Sequence, residues 1–313
     1  EDAREDRQRH RIRARAALIA DLASDVEVGL GLATGGDSPV STNQTLGGGG
    51  STKEIRLDLA YFKWTPSDFY LQAGKFANPY YRPQKTGLLW DGDFRPEGVG
   101  AGWAGDQFFA TIAGGWIESD SRSDDEFFWG VQGGLKLFDG LTASIAYHDF
   151  PVQGRQAVAI GGDRDFFGNS SLEVGGQQVY RYNYELLNLG LELAMNVGDL
   201  PLRVYGDVVE NQDADEFDTG YLAGLKLGSV GGRGSWQLQY QYQLLEADAT
   251  LGLVTDSNFM GGGTDGKGHR FAGAYGLADQ WSLGFTYFNG KSEYDLGDRD
   301  DYQRLIIDTK FKY

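Results

Sequence analysis

The side chains best suited to covalent chemistry are few and scattered. Three histidines, His10, His148 and His269, lie far apart in the chain, and none sits in an H-E-x-x-H pattern. The chain has no cysteine, which excludes thiolate zinc sites, cysteine nucleophiles and disulfide frameworks. Gly290-Lys291-Ser292 has the ending of a phosphate loop, but position 285, where that loop needs glycine, is Phe285. Gly29-x-Gly31 continues to Thr34, so a dinucleotide fingerprint fails, and no G-x-S-x-G elbow occurs. What recurs is charge at regular spacing. Arg11, Arg13 and Arg15 alternate with apolar residues, and Arg9 and Arg7 continue the row. Arg56 and Asp58 alternate in the same way, and the segment Asn78 to Gly98 carries Arg82, Lys85, Asp91, Asp93, Arg95 and Glu97 among aromatic residues. Charges so arranged set up electric fields rather than break bonds, and no cofactor is expected. Two acidic clusters, Asp124-Asp125-Glu126 and Asp213, Asp215 and Glu216, have the hard oxygen donors that Ca²⁺ prefers. A solvated acidic loop has the same composition without any metal.

The elements that must position these charges are read from periodicity. Apolar residues alternate with polar ones through nearly the whole chain, which is the signature of half-buried strands. Ile12, Ala14, Ala16, Leu18, Ala20 and Leu22 form one apolar row against the arginines. Ile55, Leu57, Leu59 and Tyr61 form another against Glu54, Arg56 and Asp58. Leu187, Leu189, Leu191 and Leu193 face away from Asn188 and Glu192, and Trp236, Leu238, Tyr240 and Tyr242 face away from a run of glutamines. Further rows end in aromatic residues at Trp116, Phe127, Trp281 and Tyr313. Forty-seven glycines among 313 residues, only seven prolines and a mean hydropathy of −0.41 fit a β-rich chain. A net charge of −17 makes nucleic acid a poor partner.

A soluble antiparallel sandwich also alternates, but three features favour an all-β transmembrane barrel. Many strands run to about ten residues, whereas globular strands are typically about five or six. The apolar rows carry aromatic ends, as interfacial girdles do, and the opposite rows are polar enough for a wet lumen. Short turns also alternate with longer segments at 35–53, 77–97, 119–126, 151–178, 211–218, 250–268 and 293–301. That is the pattern of tight periplasmic turns and longer extracellular loops. Residues 1–313 thus form a single barrel domain, with 77–97 a candidate constriction loop and 151–178 the longest extracellular loop. Seven turns and seven loops join fifteen strands, while bacterial single-chain barrels have even numbers. A sixteenth strand upstream of Glu1 is therefore expected. If the 77–97 loop enters the lumen, its carboxylates face the arginine row across a constriction, and such charge rings select permeants by sign.

Several stretches resemble the proteobacterial "putative porin" family. They are Arg11-Ile12-Arg13-Ala14-Arg15-Ala16, Leu32-Ala33-Thr34-Gly35, Pro39 to Leu46, Leu57-Asp58-Leu59-Ala60-Tyr61, Gly74 to Pro79, Leu89 to Asp93 and Pro96-Glu97-Gly98. The resemblance implies a 16-stranded porin in the Gram-negative outer membrane. The terminal Phe311-Lys312-Tyr313 is similar to the signal read by the barrel-assembly machinery, so Phe311 and Tyr313 are the residues assigned to that partner. Outer-membrane lipid and lipopolysaccharide, which the acidic loops could bridge through cations, are further partners, and a homotrimer follows by analogy of size. The expected function is non-enzymatic passive diffusion of small hydrophilic solutes and ions. A weak cation preference is expected because the seven long segments carry −13 of the −17. The alternative is a plugged barrel acting as an adhesin, receptor or docking protein.

Overall fold

Alternation of this length has one stable outcome in lipid. Every backbone N–H and C=O must find a partner inside the protein, so strands join edge to edge. The computed structural model describes residues 7–119, 125–138, 140–157 and 166–312. Its first strands are β1 (Arg11–Ile12), β2 (Arg15–Leu22), β3 (Val26–Thr34), β4 (Gln44–Thr45), β5 (Ile55–Trp64), β6 (Phe69–Lys75) and β7 (Glu97–Ala104). There follow β8 (Phe108–Glu118), β9 (Glu126–Phe138), β10 (Leu141–Phe150), β11 (Ser171–Val174), β12 (Gln177–Tyr180) and β13 (Tyr184–Val197). The last are β14 (Leu200–Asn211), β15 (Thr219–Gly228), β16 (Trp236–Leu245), β17 (Gly266–Ala278), β18 (Trp281–Ser292) and β19 (Asp300–Phe311).

Fifteen of these form one sheet in which every strand pairs with its neighbour in the chain, from β2 and β3 through β5 to β10 and on from β13 to β19. All the pairings are antiparallel. The remaining strands make two small ladders, β1 with β4 and β11 with β12. Among the described residues no helix is long and apolar enough to cross a membrane, and the strands do the crossing. Their outward rows are exposed, from Leu18 at 77% and Leu187, Leu189 and Leu191 to Ile307 at 69%. Such continuous apolar exposure is unstable in water and is the normal lipid face of a barrel.

The edge strands β2 and β19 both run toward the short-turn end. A strand lying between them pairs antiparallel with both only if it runs the opposite way. Arg9 and Arg11, just ahead of β2, come within electrostatic reach of Arg304 on β19, the opposite edge of the sheet.

Two departures from simple alternation matter. First, the row Ile55, Leu57, Leu59 and Tyr61 does not stay on one face. A bulge pairs Leu32 with Leu57 but Gly31 with Leu59, leaving Asp58 as the extra residue. One extra residue flips every later side chain to the other face. Leu59 and Tyr61 therefore point inward, and the Tyr61 hydroxyl donates to Glu27 Oε1 at 2.7 Å. The ring lies against Gly29, where a Cβ would stand 2.3 Å from Cε1. Second, the interior is not uniformly wet. Phe128, Phe150, Tyr184, Leu186, Val209 and Leu245 sit on inward rows near the long-loop ends of their strands and are fully buried. They are covered by Leu88, Leu89 and Trp90 from the segment after β6, Val152 from that after β10, and Leu251 and Leu253 from that after β16. Each such side chain contributes about 1.5–3 kcal/mol by leaving water.

The bulge makes a labelling prediction, and the cysteine-free chain gives it a clean background. Lys63→Cys should react with a charged, water-soluble maleimide in liposomes, whereas Phe62→Cys should not. The reverse result would mean that β5 has no bulge.

Candidate functional site

The segment from Phe76 to Pro96 leaves the wall and crosses the interior. Its ends are tied where Phe76 N donates to Pro96 O at 3.1 Å. The Tyr80 hydroxyl lies 2.7 Å from Ala113 O and 2.8 Å from Gly130 O, carrying the segment onto β8 and β9. Gln132 then brackets Tyr81, accepting from its N–H at 2.6 Å and donating to its carbonyl at 2.9 Å. On β13, Glu192 accepts from the Tyr81 hydroxyl at 3.1 Å and from the Gln84 backbone and side chain at 2.9 and 2.6 Å. Pro83 packs over Gly190, where a Cβ would stand 3.0 Å from its Cγ. The farthest anchor is on β14, where Thr86 Oγ1 donates to Asp207 at 3.0 Å.

The return leg is held by backbone and carboxylate bonds. Asp91 N donates to Val254 O at 2.7 Å, while the Asp91 carboxylate accepts from Ser257 N at 2.9 Å and Asp93 N at 2.6 Å. Burial, with Asp256 second, pushes the Asp91 carboxyl up to about 6. Arg82 turns inward on its own segment, donating to Thr86 O and Trp90 O. Burial lowers its pKa, and Asp91 and Asp207 pull it back. The role of Arg82 here is to hold the segment's shape.

Beyond Asp91 the segment meets the arginine row. Asp93 Oδ2 lies 2.9 Å from Arg13 Nη2, and Asp93 Oδ1 lies 3.0 Å from Arg15 Nη2. Thr42 N and Oγ1 also approach Asp93, at 3.3 and 3.4 Å. Asp58, the bulge residue, stands 3.6 Å from Arg15 Nε and 3.7 Å from Arg95 Nε. Three guanidiniums thus share two carboxylates, and both carboxylates are 9% exposed. The field is confined within contact ion pairs that pin the segment to the wall, instead of spanning open water.

The other charges named from the sequence lie outside this knot. Arg11 sits in the β1–β4 ladder opposite Thr45. Arg56 pairs with Glu54 at 2.6 Å, and Lys75 pairs with Glu97 at 2.5 Å. Lys85 is exposed on the far side of the segment, within electrostatic reach of Lys226. Among the acidic clusters, Glu126 pairs with Arg155, Glu216 lies 3.4 Å from Arg181, and Asp213 accepts from Asn183 N at 2.8 Å. Asp125 and Asp215 make no metal-like group with them, and among the described residues no three such side chains gather around a point. Asp124 and Tyr313 lie outside the described residues. Phe311 stacks on Trp281 at the short-turn end, with ring centroids 5.5 Å apart.

Periodicity missed a second charged group. Lys226 on β15 stands within reach of Arg203, Glu192, Lys85 and Arg270, contributed by three other strands and the crossing segment. They come from separate strands and from the crossing segment, so only the register that aligns Arg203 with Lys226 brings them together.

The family described as "Putative porin" matches residues 1–171 and 171–311. The chain belongs to that family. Among solved structures, the porin chain is similar to Salmonella typhi OmpF in complex with daunomycin (TM-score 0.55, 12% identity, 98% of this chain and 92% of that one). It is also similar to a loop L8 deletion mutant of OmpT, an outer membrane protein of Vibrio cholerae (TM-score 0.52, 12% identity, 96% of each chain). A third likeness is Pseudomonas aeruginosa OccD3, of whose length this chain covers 65% while 88% of this chain is matched (TM-score 0.50, 13% identity). At these identities the likeness is one of fold. No curated protein sequence matches the chain. The chain is thus an outer-membrane porin barrel of the Gram-negative envelope.

Two predictions follow from the porin's ion-pair knot and buried carboxyl. Asp93→Asn leaves Arg13 and Arg15 without their shared partner and should weaken docking of the segment by about 1–3 kcal/mol, below the fully buried case because both arginines are part-exposed. The measurement is added open-channel noise and a lower urea midpoint; unchanged values would show that the knot holds nothing. Asp91 binds its proton more tightly in the docked segment than in an undocked one. Docking is therefore favoured below the ordinary carboxylate range near 4 and loses that advantage as pH rises through about 6. Open-channel noise should accordingly rise between pH 4 and 7 in the native chain and rise less in Asp91→Asn.

Proposed function

We propose that this porin is a non-enzymatic, water-filled channel for passive diffusion of small hydrophilic solutes and ions. The 76–96 segment is its constriction, and the channel has a weak preference for cations. The observation that carries the reading is the crossing segment itself, anchored from Gln132 to Asp207 on one side and by Asp93 on Arg13 and Arg15 on the other. A segment so placed narrows the lumen without occupying all of it. A cavity of about 650 Å³ remains beside it, with Asp58, Asp93 and Arg95 among its walls. Barrels of about 16 strands leave an aqueous channel, and the family match is consistent with that use.

The cation preference rests on the rim. The long segments carry −13 of the net −17, which raises the local cation concentration at the mouth. The group of Lys85, Arg203, Lys226 and Arg270 on the inner wall opposes it. The two act over different ranges. The rim is open to solvent, so its field reaches about 30 Å at 0.01 M salt but only about 3 Å at 1 M. The inner group stands beside the permeant and is screened less.

A second reading is favoured by the apolar core inside the barrel, where Trp90, Phe150, Tyr184 and Leu251 are fully buried. It is a plugged barrel that docks a partner through its loops. Planar-bilayer recording decides between them. The channel reading expects steady conductance in KCl, cation-preferring under a gradient at about 0.01–0.1 M and drifting toward parity near 1 M. Absence of conductance favours the plug, and an anion preference at the lowest salt overturns the role given to the rim.

A further inference from the structure

The vestibule on the long-loop side of the crossing segment has a two-sided chemistry that passive diffusion of ions does not require. One side carries charges of both signs from the upper ends of β5, β6 and β7: Arg56, Lys75 and Glu97. The other is apolar, with Phe94 and Ile117 part-exposed and Phe128, Phe150, Leu253 and Val254 buried behind them. The volume, about 650 Å³, falls within the roughly 300–1,000 Å³ of small-molecule sites, and an apolar wall with a few convergent polar groups is their usual composition.

The charges differ in how freely they can engage a solute. Asp58, Asp93 and Arg95 are deep and locked in the knot with Arg13 and Arg15. Arg56 with Glu54, and Lys75 with Glu97, are shallow pairs whose acidic members are 60% and 64% exposed. Exposed pairs are held weakly because water competes for both partners. A solute carrying both an ammonium and a carboxylate can replace one such pair with no change in net charge: its ammonium meets Glu97 while its carboxylate meets Lys75 or Arg56. A simple anion or cation satisfies one half and leaves the other charge facing solvent. Water against Phe94 and Ile117 has fewer hydrogen-bond partners than in bulk, so an apolar body placed there releases it.

From this juxtaposition we infer that the vestibule is a binding station for amphipathic zwitterions of amino-acid size, with the charged end on Arg56, Lys75 and Glu97 and the apolar end on Phe94 and Ile117. The inference rests on the channel reading for its route but names a solute class that reading leaves open. Binding ahead of a constriction raises the local concentration of the permeant, provided it is weak enough to release it.

The test is single-channel recording in KCl with four probes added on the loop side at equal concentration: L-phenylalanine, glycine, phenylacetate and phenethylamine. Phenylalanine should produce transient current interruptions at least about tenfold more frequent than glycine, with phenylacetate and phenethylamine well below it. Phe94→Ser and Lys75→Gln should each shorten the interruptions by phenylalanine. Equal interruption by phenylalanine and glycine overturns the apolar half, and phenylacetate matching phenylalanine overturns the zwitterion assignment. A barrel that carries no KCl current fails the channel reading alone. The four probes are then compared by equilibrium dialysis against the detergent-solubilised protein, where equal retention of phenylalanine and glycine overturns the station itself.

Discussion

The bilayer's refusal to hydrogen-bond the backbone governs everything else in this molecule. A strand in lipid that lacks a neighbour strands a row of N–H and C=O groups, each costing several kcal/mol. Among the described residues fifteen strands form one sheet, each paired to the next, and they reach fourteen residues in Tyr184–Val197. Because neighbours in sequence are neighbours in space, every long connection emerges at one end and every short turn at the other. The loops therefore have only two places to go, outward into solvent or inward into the lumen.

Those that go inward solve a second problem. A barrel of this circumference has more interior than its wall side chains can fill, and the upper part of the wall carries Phe128, Phe150, Leu186 and Val209. The segments after β6, β10 and β16 cover that apolar surface, with the Trp90 ring stacked on Tyr80 and Phe94 and tilted against Phe150. Polar groups carried in with them are satisfied in turn. Asn169 donates to Ala247 O and Thr250 O at 2.7 and 2.8 Å, and Asp248 accepts from Ser170 and from Tyr184 at 3.1 Å. A buried loop is tolerable only on those terms.

The ion-pair knot belongs to the same logic. Asp93 and Asp58 are too buried to be left without partners, and three arginines supply them. The bulge that places Asp58 there also turns Leu59 and Tyr61 inward. In the sequence Asp58 is one more polar residue in a regular row, and Leu59 and Tyr61 continue the apolar one. The irregularity is invisible there because it lies in how β3 and β5 pair, not in either strand's composition. The same holds for Lys226 and its neighbours, whose proximity is created by register across β14 to β17.

The strands and their lipid faces were legible because they are local. A pleated chain sends successive side chains to opposite sides, and lipid on one side demands apolar residues at every second position. Trp236, Leu238, Tyr240 and Tyr242 declare that face without reference to any other strand. The alternation of short and long connections likewise orders the turns and loops. Which residues meet inside is another matter. Arg13 and Asp93 are 80 residues apart, and Thr86 and Asp207 are 121 apart. Those contacts exist only because the curved sheet carries opposite walls within reach of one crossing segment. A pattern of residue types along a line holds no record of that curvature; it is set by the sum of the strand pairings and the register shifts within them.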